Sequence, residues 1–244
     1  MLTSLASPLK YQLQRVLPAS LLHQFAFEIQ TSCKSVLTRR YAKRYQSMRG
    51  VRLNIGCGDR PTEGWVNFDL ISRPKVDYWD CRKGLPFRDG AVSAIFTEHV
   101  VEHLEYGDEV EKFLRECLRC LGPSGVLRIV VPDAGVYLKL YCTGAWNEIM
   151  TRRPLIQEGD HYRDFWLGQH YFTKMEFINA LFRQNGEHRY AYDAETLIRL
   201  LEQVGFATVR QTRFGVSTYA NMAPDTPERG PESLYVEAIK TEKS

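Results

Sequence analysis

The 244-residue chain contains no uncharged apolar run approaching the ~18 residues that a membrane helix needs. Its N-terminus shows no apolar block followed by a small-residue cleavage site, so no secretory signal is expected. Cysteine is sparse: six residues, at 33, 57, 81, 117, 120 and 142, too few for a disulfide scaffold in a chain this long. Reduced thiols and a cytoplasmic protein are the expectation. Cys117 and Cys120 form one CxxC, but inside a helical pattern, VEKFLRECLRCL. With no second pair at ligand spacing, zinc is not expected there, and the two thiols read as one half-buried helix face.

What is present is ordinary for a globular protein: 44% hydrophobic and 25% charged residues. The length suits one large domain, with or without an appendage. The net charge of +3 hides an asymmetry. Residues 1–50 hold eight Lys/Arg and one acid, Glu28, so a basic arm precedes a mildly acidic body. Apolar residues at helical spacing (Leu13, Val16, Leu17, then Leu21, Leu22, Phe25) predict two short helices separated by Pro18. Residues 1–48 read as an appendage packed on the body, with a solvated basic face, separable from it. Peripheral contact with a membrane surface is left open for this arm.

From Val51 onward, strand and helix patterns alternate. VRLNI, WVNFDL, KVDYW, AVSAIFTE and VLRIVVPD read as strands, EHVVEHL as the start of a helix and DEVEKFLRECLRCL as another. This order predicts a parallel sheet covered on both faces. Residues 135–190 break the rhythm and are rich in Tyr, Trp and Phe, as an inserted cap would be. DAETLIRLLEQVGF is an amphipathic helix with Asp193 as N-cap and Gly205 as C-cap glycine. ATVRQTRF and SLYVEAIK are the last strands.

The first strand runs into LNIGCGDRPTEGWVNFDL. Gly56 and Gly58 lack a Cβ, so the turn can bend tightly and approach a ligand. Asp69 follows Gly58 by only 11 positions. A dinucleotide fold places its acid about 20 residues on, after a full helix that faces the pyrophosphate, so NAD is disfavoured.

Four stretches together resemble the class I S-adenosylmethionine (SAM)-dependent methyltransferases, of the type 11-like branch. They are LNIGCG, LPFRDGAVSAIFTEHVVEHL, LRECLRCLGPSGVLRIVVPD and HRYAYDAETLIRLLEQVGF, in the family's order. The resemblance covers roughly residues 51–240. It implies an α/β Rossmann-like fold with a seven-stranded, mostly parallel sheet, preceded by the helical arm 1–48 and carrying the aromatic-rich cap 135–190 within a methyltransferase domain 49–244. It implies SAM as cofactor.

The same resemblance assigns the site. The turn Gly56, Cys57, Gly58 cradles SAM; Asp69 accepts from the ribose hydroxyls. Asp80 accepts from the adenine amino group, with Asp77 as competitor, and the N–H of Cys81 meets a ring nitrogen. Asn54 stands where the family often has an acid that holds the ammonium group. Glu98 and His99 end the fourth strand, near the transferred methyl, and His99 is the candidate general base. His99, Glu102 and His103 make H-x-x-E-H, similar to the E-x-x-E-H metal site of some RNA and quinone O-methyltransferases, with a fourth ligand sought at His161 or His170. The reading adopted is that Glu102 and His103 brace a helix, and no metal is expected. HYRDFWLGQHYF in the cap could line an acceptor pocket or form the insertion's own core. Arg229, Glu232 and Ser233 precede the last strand without an assigned role.

The expected activity is methyl transfer to a hydroxyl or amine of a small-molecule or glycan-type acceptor. Two alternatives belong to other classes: a non-catalytic SAM-fold module that docks a partner through the basic arm, and an RNA-directed methyltransferase. The second is disfavoured, because TEHV stands where base-amino methyltransferases carry N/D-PP-Y/F.

Overall fold

A computed structural model describes residues 18–38, 41–153, 155–164, 168–219, 222 and 224–241. The expected helix before Pro18 lies outside these residues. In chain order the described elements are α1 (Ala19–Thr38), α2 (Ala42–Gln46), β1 (Val51–Ile55), β2 (Val66–Asp69), β3 (Asp77–Tyr78), β4 (Val92–Glu98), α3 (Asp108–Cys120) and β5 (Leu121–Pro132). The insertion follows, with α4 (Ala134–Cys142), α5 (Trp146–Arg152), β6 (Leu155–Glu158), β7 (His161–Asp164), β8 (His170–Tyr171) and α6 (Lys174–Arg183). The chain closes with α7 (Ala194–Val204), β9 (Thr208–Gln211) and β10 (Ser233–Ile239).

Seven strands form one sheet in the order β3-β2-β1-β4-β5-β10-β9. β1 to β5 pair in parallel, and only β10 opposes its neighbours. The strand order reverses between β1 and β4, so their carboxyl ends frame the crevice where such sheets bind ligands. Leu53, Ile55, Phe68, Ile95, Leu127 and Ile129 bury their side chains in the main core. Against them α3 lays Val110, Phe113, Leu114, Cys117 and Cys120, the i, i+3, i+4, i+7 stripe of an amphipathic helix. Both thiols are fully buried, deeper than the half-buried face expected. α3 also carries three acids in its first turn and Arg119 in its last, matching the helix dipole. Asp193 caps α7 by accepting from the Thr196 N–H at 2.9 Å, and Gly205 ends it in the left-handed conformation.

The insertion has its own core, in which Tyr137, Trp146, Tyr171 and Phe177 pack edge to face. Most of the cap's aromatics therefore serve the insertion itself. No helix of the described residues is long and apolar enough to cross a membrane.

Two local expectations are corrected. EHVVEHL forms only one 3₁₀ turn, Val101–His103. The His99 N–H donates to the Val130 carbonyl at 2.8 Å, which holds the chain to the sheet, and His99 takes a left-handed φ of 54°. So His99 and His103 share no helix face. The arm is also packed into the core, where an appendage resting on the body was expected. α1 is a single 20-residue helix. Tyr45, 2% exposed, sits in the main core with its ring edge on Phe68 and Phe87. Its hydroxyl donates to Asp77. Deleting residues 1–48 removes this aromatic, a loss of about 3–5 kcal/mol by the usual cost of emptying such a site. We expect the truncated chain to melt well below the full chain and to bind SAM more weakly. Equal melting temperature and affinity for the two would show that the arm is dispensable.

Candidate active site

A cavity of about 610 Å³ opens at the carboxyl ends of β1 to β4. Its floor is Gly56, Asp69, Asp80 and Cys81; His99 and Val100 close one side. Its volume falls in the ~300–1,000 Å³ range of ligand pockets. The turn after β1 is built by two N–H groups, of Gly56 and Cys57, that donate to the Phe68 carbonyl at 2.7 and 3.2 Å. Gly56 has a φ of 71°, and a Cβ there would stand 2.0 Å from Val100 Cγ2. The turn is therefore a cradle that only glycine fits.

Asp69 holds this loop. Its Oδ2 accepts from the Gly58 N–H at 2.9 Å and its Oδ1 from the Ile71 N–H at 2.8 Å. Each carboxylate oxygen keeps a further lone pair, so turn-holding and acceptance from a diol are compatible.

The roof is α1, through Phe27, Gln30, Thr31 and Lys34. Arg82 docks it. The guanidinium donates to Asp80 at 2.9 Å from both Nε and NH2, and to Glu28 at 2.6 Å. Tyr78 adds a bond from its hydroxyl to the Thr31 carbonyl at 3.1 Å. These partners lie about fifty residues apart, which is why the pattern of the arm did not reveal its place.

Several assigned residues do something other than expected. The Asp80 carboxylate accepts from Arg82 on both oxygens and caps the 3₁₀ turn, so it docks α1 as well as lining the cavity. Asp77 is turned to Tyr45, which removes it as competitor. Asn54 donates to Thr62 Oγ1 at 3.1 Å and Asn67 Oδ1 at 3.2 Å, and stitches the loop to β2 rather than facing the cavity. Glu98 accepts from the N–H and hydroxyl of Thr226. Asn54, Cys57, Gly58 and Glu98 all lie outside the cavity lining.

His99 lines this cavity and also a second one of about 360 Å³, on its other side. Arg60, Arg153, His188, Arg229 and Glu232 contribute to that second wall. Arg153, 6% exposed, is bound by Asp164 at 3.0 Å and Glu232 at 2.9 Å. The guanidinium of Arg229 bonds His99 Nδ1. A guanidinium can only donate, so Nδ1 is the acceptor, and the Nε2–H donates to Ser233 Oγ at 3.0 Å. Burial, and then the charge of Arg229, hold the imidazole well below its usual pKa. With its only lone pair engaged by a cation, His99 is not a general base in this arrangement. It stands as a neutral partition between the two cavities. Arg229 and Ser233 were visible in the sequence but had no pattern to mark them; nor had Arg60, Arg153 or His188.

Residues 71–129 match the model of a methyltransferase-domain family. Among solved structures the chain is similar to a SAM-dependent methyltransferase from Archaeoglobus fulgidus, 18% identical, covering 89% of this chain and 99% of that one, with a TM-score of 0.46. It is also similar to one from Mesorhizobium loti (14% identical, 79% and 92% covered, TM-score 0.45). A third is a 1,6-didemethyltoxoflavin-N1-methyltransferase from Burkholderia thailandensis, solved with 1,6-didemethyltoxoflavin and S-adenosylhomocysteine (15% identical, 97% and 92% covered, TM-score 0.43). The comparison with curated proteins found no match.

Proposed function

We propose that this chain, a class I SAM-dependent methyltransferase by its sheet order and its methyltransferase-domain match, transfers a methyl group to a hydroxyl or amine of a small-molecule or glycan-type acceptor. The observation that carries the reading is the pair of cavities that meet at His99. The first has the glycine cradle and Asp69 for a nucleoside joined to an amino acid. The second has the polar, arginine-rich wall for an acceptor with oxygen-rich groups.

When bound, SAM supplies the methyl as a sulfonium substituent. The chain's part is alignment and water exclusion. Gly56 lets the backbone approach the cofactor, Asp69 offers lone pairs to its ribose, and α1 covers it. His99, fixed by Arg229 and Ser233, separates cofactor from acceptor and keeps the partition uncharged. Arg60, paired with Glu228 at 3.0 Å, and Arg229 give the acceptor side guanidinium donors set among carboxylates. The insertion 135–190 acts as the acceptor region, because Arg153, Leu181 and Gln184 reach this wall from it. A cytoplasmic setting, expected from six scattered cysteines in a chain of this length, is part of the same proposal.

The test uses calorimetry, then methyl-labelled SAM with a panel of hydroxyl and amine acceptors. SAM and S-adenosylhomocysteine should both bind. Asp69→Asn should weaken both by roughly 10-fold, the worth of one charge-assisted hydrogen bond of about 1.5 kcal/mol. Label should appear in a hydroxyl- or amine-bearing acceptor. NADH binding without SAM binding would overturn the cofactor half. SAM binding with no transfer to any acceptor of either kind would favour the non-catalytic module.

A further inference from the structure

Between the two cavities lies a cluster that methyl transfer does not use. A Glu102 carboxylate oxygen and one ring nitrogen each of His103 and His188 all lie within 4.8 Å of one another. The loop before α7 brings them together, because the N–H groups of Arg189 and Tyr190 both donate to the Glu102 carbonyl, at 2.7 and 3.2 Å.

The two imidazoles, their rings nearly perpendicular at 84°, are anchored through the same nitrogen. His103 Nδ1 bonds the Glu187 carbonyl at 3.1 Å, and His188 Nδ1 bonds the Leu181 carbonyl at 3.0 Å. A carbonyl only accepts, so each Nδ1 carries the hydrogen and each Nε2 keeps its lone pair. A backbone carbonyl on the far nitrogen is how ligating histidines are aimed. Glu102 is 1% exposed, and neither of its carboxylate oxygens makes a hydrogen bond, although His99 Nδ1 stands 3.4 Å from Oε1. A buried polar group in that state costs free energy that a partner would return. A void of about 10 Å³ touches Glu102, His188 and Tyr192, room on the scale of a single water or bare ion.

We propose that Glu102, His103 and His188 form a binding site for one divalent transition-metal ion, of which zinc is the best match. Two imidazole nitrogens and one carboxylate are the donor set such an ion takes, and the set leaves a coordination position open. His103 borders the cofactor cavity and His188 the acceptor cavity, so the ion sits in the wall between them. His99 is not in the set, since Arg229 holds its Nδ1. The ligands therefore differ from those the H-x-x-E-H spacing suggested: His188, 85 residues beyond His103, replaces His99. An ion there would lie within reach of an acceptor oxygen, but its binding is independent of any turnover.

The experiment is calorimetric titration of chelator-stripped, full-length protein with Zn²⁺, alongside Co²⁺ absorption spectra. One ion per chain should bind and raise the melting temperature. His188→Ala and His103→Ala should each weaken binding by more than ~100-fold, beyond the upper end of what an outer-shell change costs. The mutants' melting temperatures without metal report whether they are folded, and SAM affinity is read on His188→Ala, which lies outside the cofactor cavity. Should His188→Ala not fold, His188→Asn serves in its place, and the wild-type Co²⁺ spectrum still reports imidazole ligation. A second cluster, Glu158, His161 and His170, is the control. Binding that survives His188→Ala and disappears in His161→Ala would overturn the assignment. So would a stripped protein that takes up neither ion. SAM affinity unchanged while metal is lost would support this site separately from the cofactor reading.

Discussion

Gly56→Ala should lose SAM binding and a measurable part of the protein's stability. Two costs add. An L-residue in the left-handed conformation costs roughly 1–2 kcal/mol. Forcing a methyl into filled space costs a further ~1–3 kcal/mol, because the new Cβ would stand 2.0 Å from Val100 Cγ2. Gly58→Ala is the control. Its φ of 56° is also positive, but nothing lies within 4 Å of a Cβ there, so only the first cost applies. The double substitution Gly56→Ala with Val100→Ala should recover the steric part, since the remaining Val100 Cβ is 3.4 Å away. Thermal melts and SAM titrations of the four proteins decide it. If Gly56→Ala melts and binds like Gly58→Ala, the close approach to Val100 is not what makes glycine necessary.

Arg128→Met is expected to be the most destabilising single change in the sheet. Arg128, Asp225 and Glu237 are all fully buried at their side chains. The guanidinium meets Asp225 through Nε at 2.7 Å and NH2 at 2.6 Å, and Glu237 through NH1 at 3.0 Å. It also donates to the carbonyls of Arg213 and Val216. Removing it strands Asp225 without a counter-charge and leaves Glu237 only Arg210, at 3.7 Å, a loss of about 3–5 kcal/mol. Chemical denaturation should show this as a lowered midpoint. The triple change Arg128→Met, Asp225→Asn, Glu237→Gln should be milder, because no uncompensated charge remains. The effect reaches the site, since Asp225 is followed by Thr226, which Glu98 holds against the second cavity. A single mutant as stable as wild type would mean that the stranded acids find water or another cation.

Much of the fold was legible because its signals are local. The strands announced themselves as apolar runs, α3 and α7 as stripes at helical spacing, and α7's ends as Asp193 and Gly205. The glycine turn was legible for the same reason: positive φ and absent Cβ are properties of one residue. Arg128 shows where local reading stops. It stands inside the strongest strand of the chain, VLRIVVP, and only the antiparallel register of β10 places Glu237 directly opposite it. EHVVEHL misled because its helical spacing is real, yet the His99 N–H bond to Val130 overrides it.

The site divides the same way. The places of Gly56 and Asp69 beside the first cavity were determined by the sequence alone, through a turn and a strand end a few residues apart. The parts of Asp80, His99 and Glu102 were not. A carboxylate or imidazole does what its nearest charged neighbour allows, and those neighbours come from far along the chain: Glu28 with Arg82 over Asp80, Arg229 on His99, His188 beside Glu102. Folding alone brings such partners within bonding distance, and so folding decided which residue bears a charge, which lone pair is free and where the wall of the second cavity stands.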